Sequence, residues 1–348
     1  MIRGKFFLLL ILSFLAGIHP VSAVASGISG QATPRKRVLK DGTVYEGSRF
    51  LFRPNGQGKA EFSNGDVYEG TWKKSMREGN GKCTYSDGSV YDGEWLQDMR
   101  SGEGELVFLS GDVYRGTWKD DHFDGKGVFL WTDGAYYKGE WSEGNRNGTG
   151  TMVWSDSIQY RGNWKDGLRH GAGEFTSGSY HYQGNWKDDV PDGQAVCEFE
   201  SGDTFEGSFS KGVITGKGIY RFSNGDVYEG EFRNGMADGN GVFTWADGSR
   251  YEGKWKENMR HGDGKMVWAN GDSYSGGWKN DLPEGKGDAL HADGSRYSGY
   301  FADGVTHGEG TILESDGTML KGEFAEGKRI GKFVIRDRDG NRIGTVNY

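Results

Sequence analysis

Tyr68-Glu69-Gly70-Thr71-Trp72, Tyr91-Asp92-Gly93-Glu94-Trp95 and Tyr114-Arg115-Gly116-Thr117-Trp118 are one pattern written three times, 23 residues apart. Working outward, the first aromatic recurs at Tyr45, Tyr68, Tyr91, Tyr114, Tyr137, Tyr160, Tyr182, Phe205, Tyr228, Tyr251, Tyr274 and Tyr297, with a weaker echo at Leu320. Every step is 23 except Tyr160 to Tyr182, which is 22. The second aromatic follows at Trp72, Trp95, Trp118, Trp141, Trp164, Trp186, Phe209, Phe232, Trp255, Trp278, Phe301 and Phe324. A fixed period of this kind specifies a repeat array, in which each unit packs only on its neighbours. The chain is therefore read as an extended surface rather than a closed core around a pocket.

Composition alone leans the other way. Mean hydropathy is −0.73 and 62 of 348 residues are glycine, which favours disorder. Yet aromatics make up 14% of the chain and the glycines keep register with them. Pro54, Pro191 and Pro283 also share one register, nine residues after the repeat aromatic. Punctuation placed this consistently belongs to a folded chain.

Within one unit, Gly81-Lys82-Cys83-Thr84-Tyr85 and Ser89-Val90-Tyr91-Asp92-Gly93-Glu94-Trp95 flank Ser86-Asp87-Gly88. Alternating runs around Asp-Gly signal a β-hairpin. A small residue, then Asp or Asn, then Gly suits a three-residue loop closed by a left-handed glycine. That register pairs Cys83 with Tyr91 and puts Tyr85, Tyr91, Gly93 and Trp95 on one face; a two-residue loop would split the aromatics. The connection from Trp95 to Gly102-Glu103-Gly104 reads as longer and polar. The expected fold is all-β: an elongated single-layer antiparallel hairpin array of about 12 units, each of 23 residues. Lacking a second layer, such a sheet would cover its backbone with the large rings, and the interposed glycines leave room for them. The expected structural face is Tyr68, Trp72, Tyr91, Trp95, Tyr114, Trp118, Tyr137, Trp141, Tyr160, Trp164, Tyr182, Trp186, Tyr251, Trp255, Tyr274 and Trp278. The remaining tryptophans, Trp131, Trp154, Trp245 and Trp268, fall on the same face of the partner strands.

These residues resemble the MORN (membrane occupation and recognition nexus) repeat, through the recurring Tyr-Glu-Gly-Glu-Trp type motif and the Gly-x-Gly at fixed offsets. The resemblance covers roughly residues 42–322. It implies an elongated hairpin array acting as a scaffold, as in a family whose members often place proteins at membranes. Junctophilins and plant phosphatidylinositol phosphate kinases carry such repeats beside other domains. No kinase segment is visible here, so the resemblance implies no kinase activity.

Residues 1–23 differ from the rest. Arg3 and Lys5 precede an apolar run, Phe6 to Ile18, followed by Val21-Ser22-Ala23, the pattern of a secretory signal peptide cleaved after 23 or 25. The alternative is a membrane anchor through residues 6–18, which is short for a span. Residues 24–41 then form a linker with the basic run Arg35-Lys36-Arg37, residues 42–322 the array, and residues 323–348 a polar C-terminal cap. Losing Arg3 and Lys5 would take the formal charge from −8 to −10. So acidic a chain is not expected to bind nucleic acid, and charge disfavours membrane contact through the repeats. Cys83 and Cys197 lie five repeats apart, roughly 50 Å, so they read as buried thiols, not a disulfide.

No nucleophile elbow, phosphate loop or metal-ligand spacing occurs, so neither catalysis nor a cofactor is expected. His170, His261 and His307 share one loop register and stand too far apart to share a ligand. Asp120-Asp121 and Asp188-Asp189 read as solvated loop charges. The period falters around Ser157, Gly178, Tyr180 and His181, which marks a bend or a partner site: Ser157 stands where other units carry the turn glycine, and one residue is missing before Tyr182. The expected function is a non-enzymatic, exported (periplasmic or secreted) scaffold that binds a protein partner through its aromatic face or its loops. The alternative is a membrane-apposed protein that contacts lipid through the repeats or an uncleaved N-terminal segment.

Overall fold

The computed structural model describes residues 35–348, and the expected signal peptide and most of the linker lie outside them. Those residues form one open antiparallel sheet of 28 strands in which each strand pairs with its neighbours in sequence. At ~4.8 Å per strand the ladder is about 130 Å across. This is the expected single-layer hairpin array, and it continues through Lys328–Arg336 and Arg342–Asn347.

The three-residue hairpin takes the expected register. Cys83 pairs with Tyr91 and Thr84 with Val90, and the Tyr85 and Gly88 amides close the loop on Ser89 and Tyr85 carbonyls. Gly88 has φ +91°, the left-handed position glycine occupies without strain.

The second connection is not the long loop expected. Leu96 pairs with Met99, leaving only Gln97-Asp98 in the turn, at φ 51° and 69°. Lys74-Ser75, Asp120-Asp121, Asp166-Gly167 and Asn280-Asp281 repeat this geometry. Two consecutive positive φ values make a type I′ turn, whose twist matches that of the strands it joins. The polar stretch after it is strand, interrupted by a bulge: between Gly70–Gly81 and Trp72–Arg77, three residues oppose Thr71 alone.

The middle of the array departs as its sequence does. Ser157 is not left-handed; Asp156-Ser157 make a two-residue turn, compensated by a bulge between Val153 and Ser155. The missing residue shortens the next loop to Gly178-Ser179, and Tyr182 keeps its pairing with Phe175. Tyr180 and His181 are ordinary strand residues beyond that loop.

Candidate functional site

The rings define one face. Tyr68, Tyr91, Tyr114, Tyr137, Tyr160, Tyr182 and Tyr251 are fully buried in a sheet one layer thick. Bare backbone makes that burial achievable. A Cβ on Gly81 would sit 2.2 Å from the Tyr68 hydroxyl, and one on Gly264 would sit 2.3 Å from that of Tyr251. Each ring therefore lies flat across glycines, and its hydroxyl donates to a carbonyl three residues on, Tyr68 to Thr71 at 3.0 Å and Tyr251 to Lys254 at 3.0 Å. The tryptophans stand edge-on between consecutive tyrosines. Trp95 is 5.4 Å from Tyr68 and 5.1 Å from Tyr91, both near perpendicular, the geometry aromatic quadrupoles prefer. Each indole Nε1–H donates to a glycine carbonyl, as Trp95 to Gly81 at 2.9 Å and Trp278 to Gly264 at 3.2 Å. Trp72, Trp118, Trp141, Trp164, Trp186, Trp255 and Trp278 are buried like Trp95, and Tyr274 is buried with them. Trp154 and Trp268 are more open, at 40% and 38%. Rings so enclosed are not available to a partner.

Along one edge runs a clamp between repeats. Arg77 stacks 4.0 Å above Trp95 while its Nε donates to the Asp98 carboxylate at 3.2 Å and Nη2 to the Asp98 carbonyl at 2.7 Å. Arg100 with Asp121 and Trp118, Arg169 with Asp189 and Trp186, and Arg260 with Asp281 and Trp278 repeat it. Asp121 and Asp189 are therefore not the free loop charges expected from the sequence; each carboxylate is committed to the preceding repeat. The signal was an Arg nine residues after one aromatic and an Asp seven after the next. His170 sits on this edge with Nδ1 3.3 Å from Asp188, eight strands from His261.

Cys83 and Cys197 are free and buried, and burial pushes the Cys197 thiol up to about 11. They are inert core groups ten strands apart. Among the described residues, no group of three or more His, Cys, Asp or Glu is placed to hold a metal ion.

The opposite face carries the concavity. A groove of about 1260 Å³ runs from Arg115 to Asn185, floored by Gly127, Gly139, Gly150, Gly162, Gly173 and Gly184. Its walls are polar and mixed, including Lys126, Lys138, Arg161, Glu140 and Glu174. These glycines face the rings, and the floor is the strand backbone left between the outward side chains of their neighbours. The groove is open and has no enclosed end.

An open hairpin ladder with tyrosines seated on paired glycines is a repeat scaffold. The MORN repeat family model matches residues 53–67, 68–90, 91–113, 114–136, 137–158, 160–181, 182–204, 205–227, 228–250, 251–273, 274–296 and 297–319, and the chain belongs to that family. No curated protein matches it. Solved structures it is similar to include the TCP10 domain of Danio rerio CPAP in complex with a peptide of STIL (11% identity, 90% of this chain and 99% of that one, TM-score 0.21). Others are the Drosophila melanogaster SAS-4 TCP domain with a proline-rich motif of Ana2 (12%, 66% and 96%, 0.18) and Staphylococcus aureus virginiamycin B lyase (16%, 82% and 93%, 0.13). At these scores no residue of this chain is placed by the likeness.

Proposed function

We propose that the protein is a non-enzymatic interaction scaffold that holds a segment of a protein partner in the glycine-floored groove. One observation carries this: the tyrosines and tryptophans of the repeat motif are consumed by the fold, while a concavity of about 1260 Å³ lies on the other face, with a bare backbone floor and polar walls. A floor without side chains lets a bound chain approach the sheet closely, and polar walls supply orientation. Of the residues of the faltering middle, His181 shares its strand face with the groove residues Gln183 and Asn185, whereas Tyr180 packs against Phe175 and Phe199 on the ring face. The pattern of residues 1–23 adds export to the reading, and N-terminal sequencing of the fractionated protein tests that part. Thr151 lies on the groove wall. Thr151→Trp should fill the groove and abolish capture of the partner while thermal unfolding stays close to that of the parent. Undiminished capture would refute the reading.

A further inference from the structure

The groove face carries one unbroken cross-strand row, a residue from every strand between Val44–Phe50 and Arg250–Lys256. It opens Glu46–Lys59–Glu69–Lys82–Asp92, alternating acid and base so that opposite charges face each other across strands. It then changes. From Glu105 the row runs Arg115–Val128–Lys138–Thr151–Arg161, then Glu174–Gln183–Val196, then Glu206–Ile219–Glu229–Val242–Glu252. Arg115, Lys138 and Arg161 stand together and Glu206, Glu229 and Glu252 stand together, each set interleaved with Val, Thr or Ile, with Glu174, Gln183 and Val196 between the two sets.

Within each triplet this segregation gives the fold little. Like charges two strands apart, ~10 Å, repel weakly, and opposite charges face each other only at the margins, Glu105 across from Arg115, Glu174 from Arg161 and Lys265 from Glu252. Arg115 leans on Glu105 and Glu252 on Arg250, so the outer member of each triplet is partly neutralised. Among the described residues, Lys138, Arg161, Glu206 and Glu229 make no ion pair. All four are exposed or half-exposed on the groove face. The basic triplet lines the concavity itself, and the acidic triplet follows on the same face beyond the groove's end at Asn185.

Resting on the reading that a protein segment occupies the groove, we infer that this segment is extended and charge-bipartite. An acidic stretch lies over Arg115, Lys138 and Arg161, and a basic stretch over Glu206, Glu229 and Glu252. The ~10 Å step between like charges matches every third residue of an extended chain at ~3.3 Å per residue. Twelve strand steps from Arg115 to Glu252 span ~58 Å, which corresponds to ~17 residues. The β-branched residues between the charges offer small apolar contacts to the partner's intervening side chains. Charge then sets orientation and register, and opposite order is penalised at both ends.

The probe is a 21-residue peptide, (Glu-Thr-Val)3-Ser-Thr-Val-(Lys-Thr-Val)3, whose neutral triplet spans the step from Arg161 to Glu206, titrated calorimetrically into the full chain at low salt. The reversed-block peptide covers the other chain direction. A control, (Glu-Thr-Val-Lys-Thr-Val)3-Ser-Thr-Val, has the same composition with alternating charges. One of the two segregated peptides should bind at least ten-fold tighter than the alternating one, with affinity falling steeply as salt rises. Replacing the bases together (Arg115→Glu, Lys138→Glu, Arg161→Glu) should remove that preference. Adding Glu206→Lys, Glu229→Lys and Glu252→Lys should restore it for the peptide of opposite block order. Equal affinity for segregated and alternating peptides overturns the inference. So does a salt-sensitive dimer of the protein that the basic-triplet variant abolishes, since a two-fold axis through Gln183 would also match the triplets and the occupant would be a second copy. If Thr151→Trp blocks partner capture but the charge variants do not, the groove reading stands and the bipartite one fails. If neither does, both fail.

Discussion

Trp278 sits at the meeting point of the forces that hold one repeat to the next, and its truncation should be read locally. The indole is 3% exposed, lies 5.3 Å from Tyr251 and 5.1 Å from Tyr274, and receives the Arg260 guanidinium at 4.3 Å. Trp278→Ala should cost about 4 kcal/mol, the middle of the range for a buried Trp, because almost none of its surface is already in water. Trp278→Phe separates the contributions. Phenylalanine occupies the equivalent place at Phe209, Phe232, Phe301 and Phe324, so the ring is sterically acceptable. What is lost is the donor to the Gly264 carbonyl and the larger face under Arg260, together roughly 2 kcal/mol. Global denaturation is a poor probe, because a long array need not unfold in one step. Amide exchange is the assay. Protection should drop in Met259–Val267 and Ser273–Lys279 and remain unchanged in Val90–Leu96. Uniform loosening from end to end, or a Phe variant indistinguishable from the parent, would refute the nearest-neighbour account.

Other consequences are as direct. Leu51 and Phe52 occupy a type I′ turn at φ 48° and 68°, where other units place polar residues or glycine, and Phe52 is 85% exposed. Leu51→Asn with Phe52→Gly should raise stability by about 1 kcal/mol or more in thermal unfolding; a loss would show that these side chains hold something in place. Gly264→Ala drives a methyl into the Tyr251 ring and should loosen the same amides as Trp278→Ala, whereas Gly248→Ala, with open space around it, should cost only turn strain. Ser157→Gly should bring no gain, since Ser157 already avoids the left-handed region; stabilisation near 1 kcal/mol would mean that its turn is described wrongly. Burial pushes the Tyr160, Tyr251 and Tyr274 phenols up to about 12 from an ordinary value near 10. A raised folded value means that the neutral ring is favoured on folding. Their contribution is whole below pH ~10 and is lost as pH rises through ~12, so unfolding should set in on that alkaline limb and not near neutrality.

The sequence made the ladder legible because its two strongest signals are local. Ser86-Asp87-Gly88 states a loop length, and the positions of Tyr85, Tyr91 and Trp95 state which register keeps the rings on one face. The type I′ turns were missed because their sequences vary. Asp166-Gly167 and Asn234-Gly235 carry the usual signal, but Gln97-Asp98 and Lys74-Ser75 place non-glycine residues at positive φ, where only the pairing on both sides holds them. The Arg–Asp–Trp clamp was misread for a different reason. Asp121 and Arg100 are 21 residues apart in sequence, and nothing local shows that one repeat's turn reaches back over the previous one. The groove was the least legible. Its glycines are visible in the sequence, but they were assigned to the rings above them, and only the sheet's shape reveals that the same bare backbone floors a concavity beneath.

The central claim, that a protein segment lies in that groove, is tested most directly by a photo-crosslinking residue placed at Thr151 and, separately, at Asp133 on the loop edge, in the intact chain within its own cells. The account predicts a protein adduct from position 151 that disappears when the partner is displaced by excess unlabelled scaffold, with none from position 133. Adducts from position 133 alone, adducts only to lipid, or a silent position 151 would contradict it.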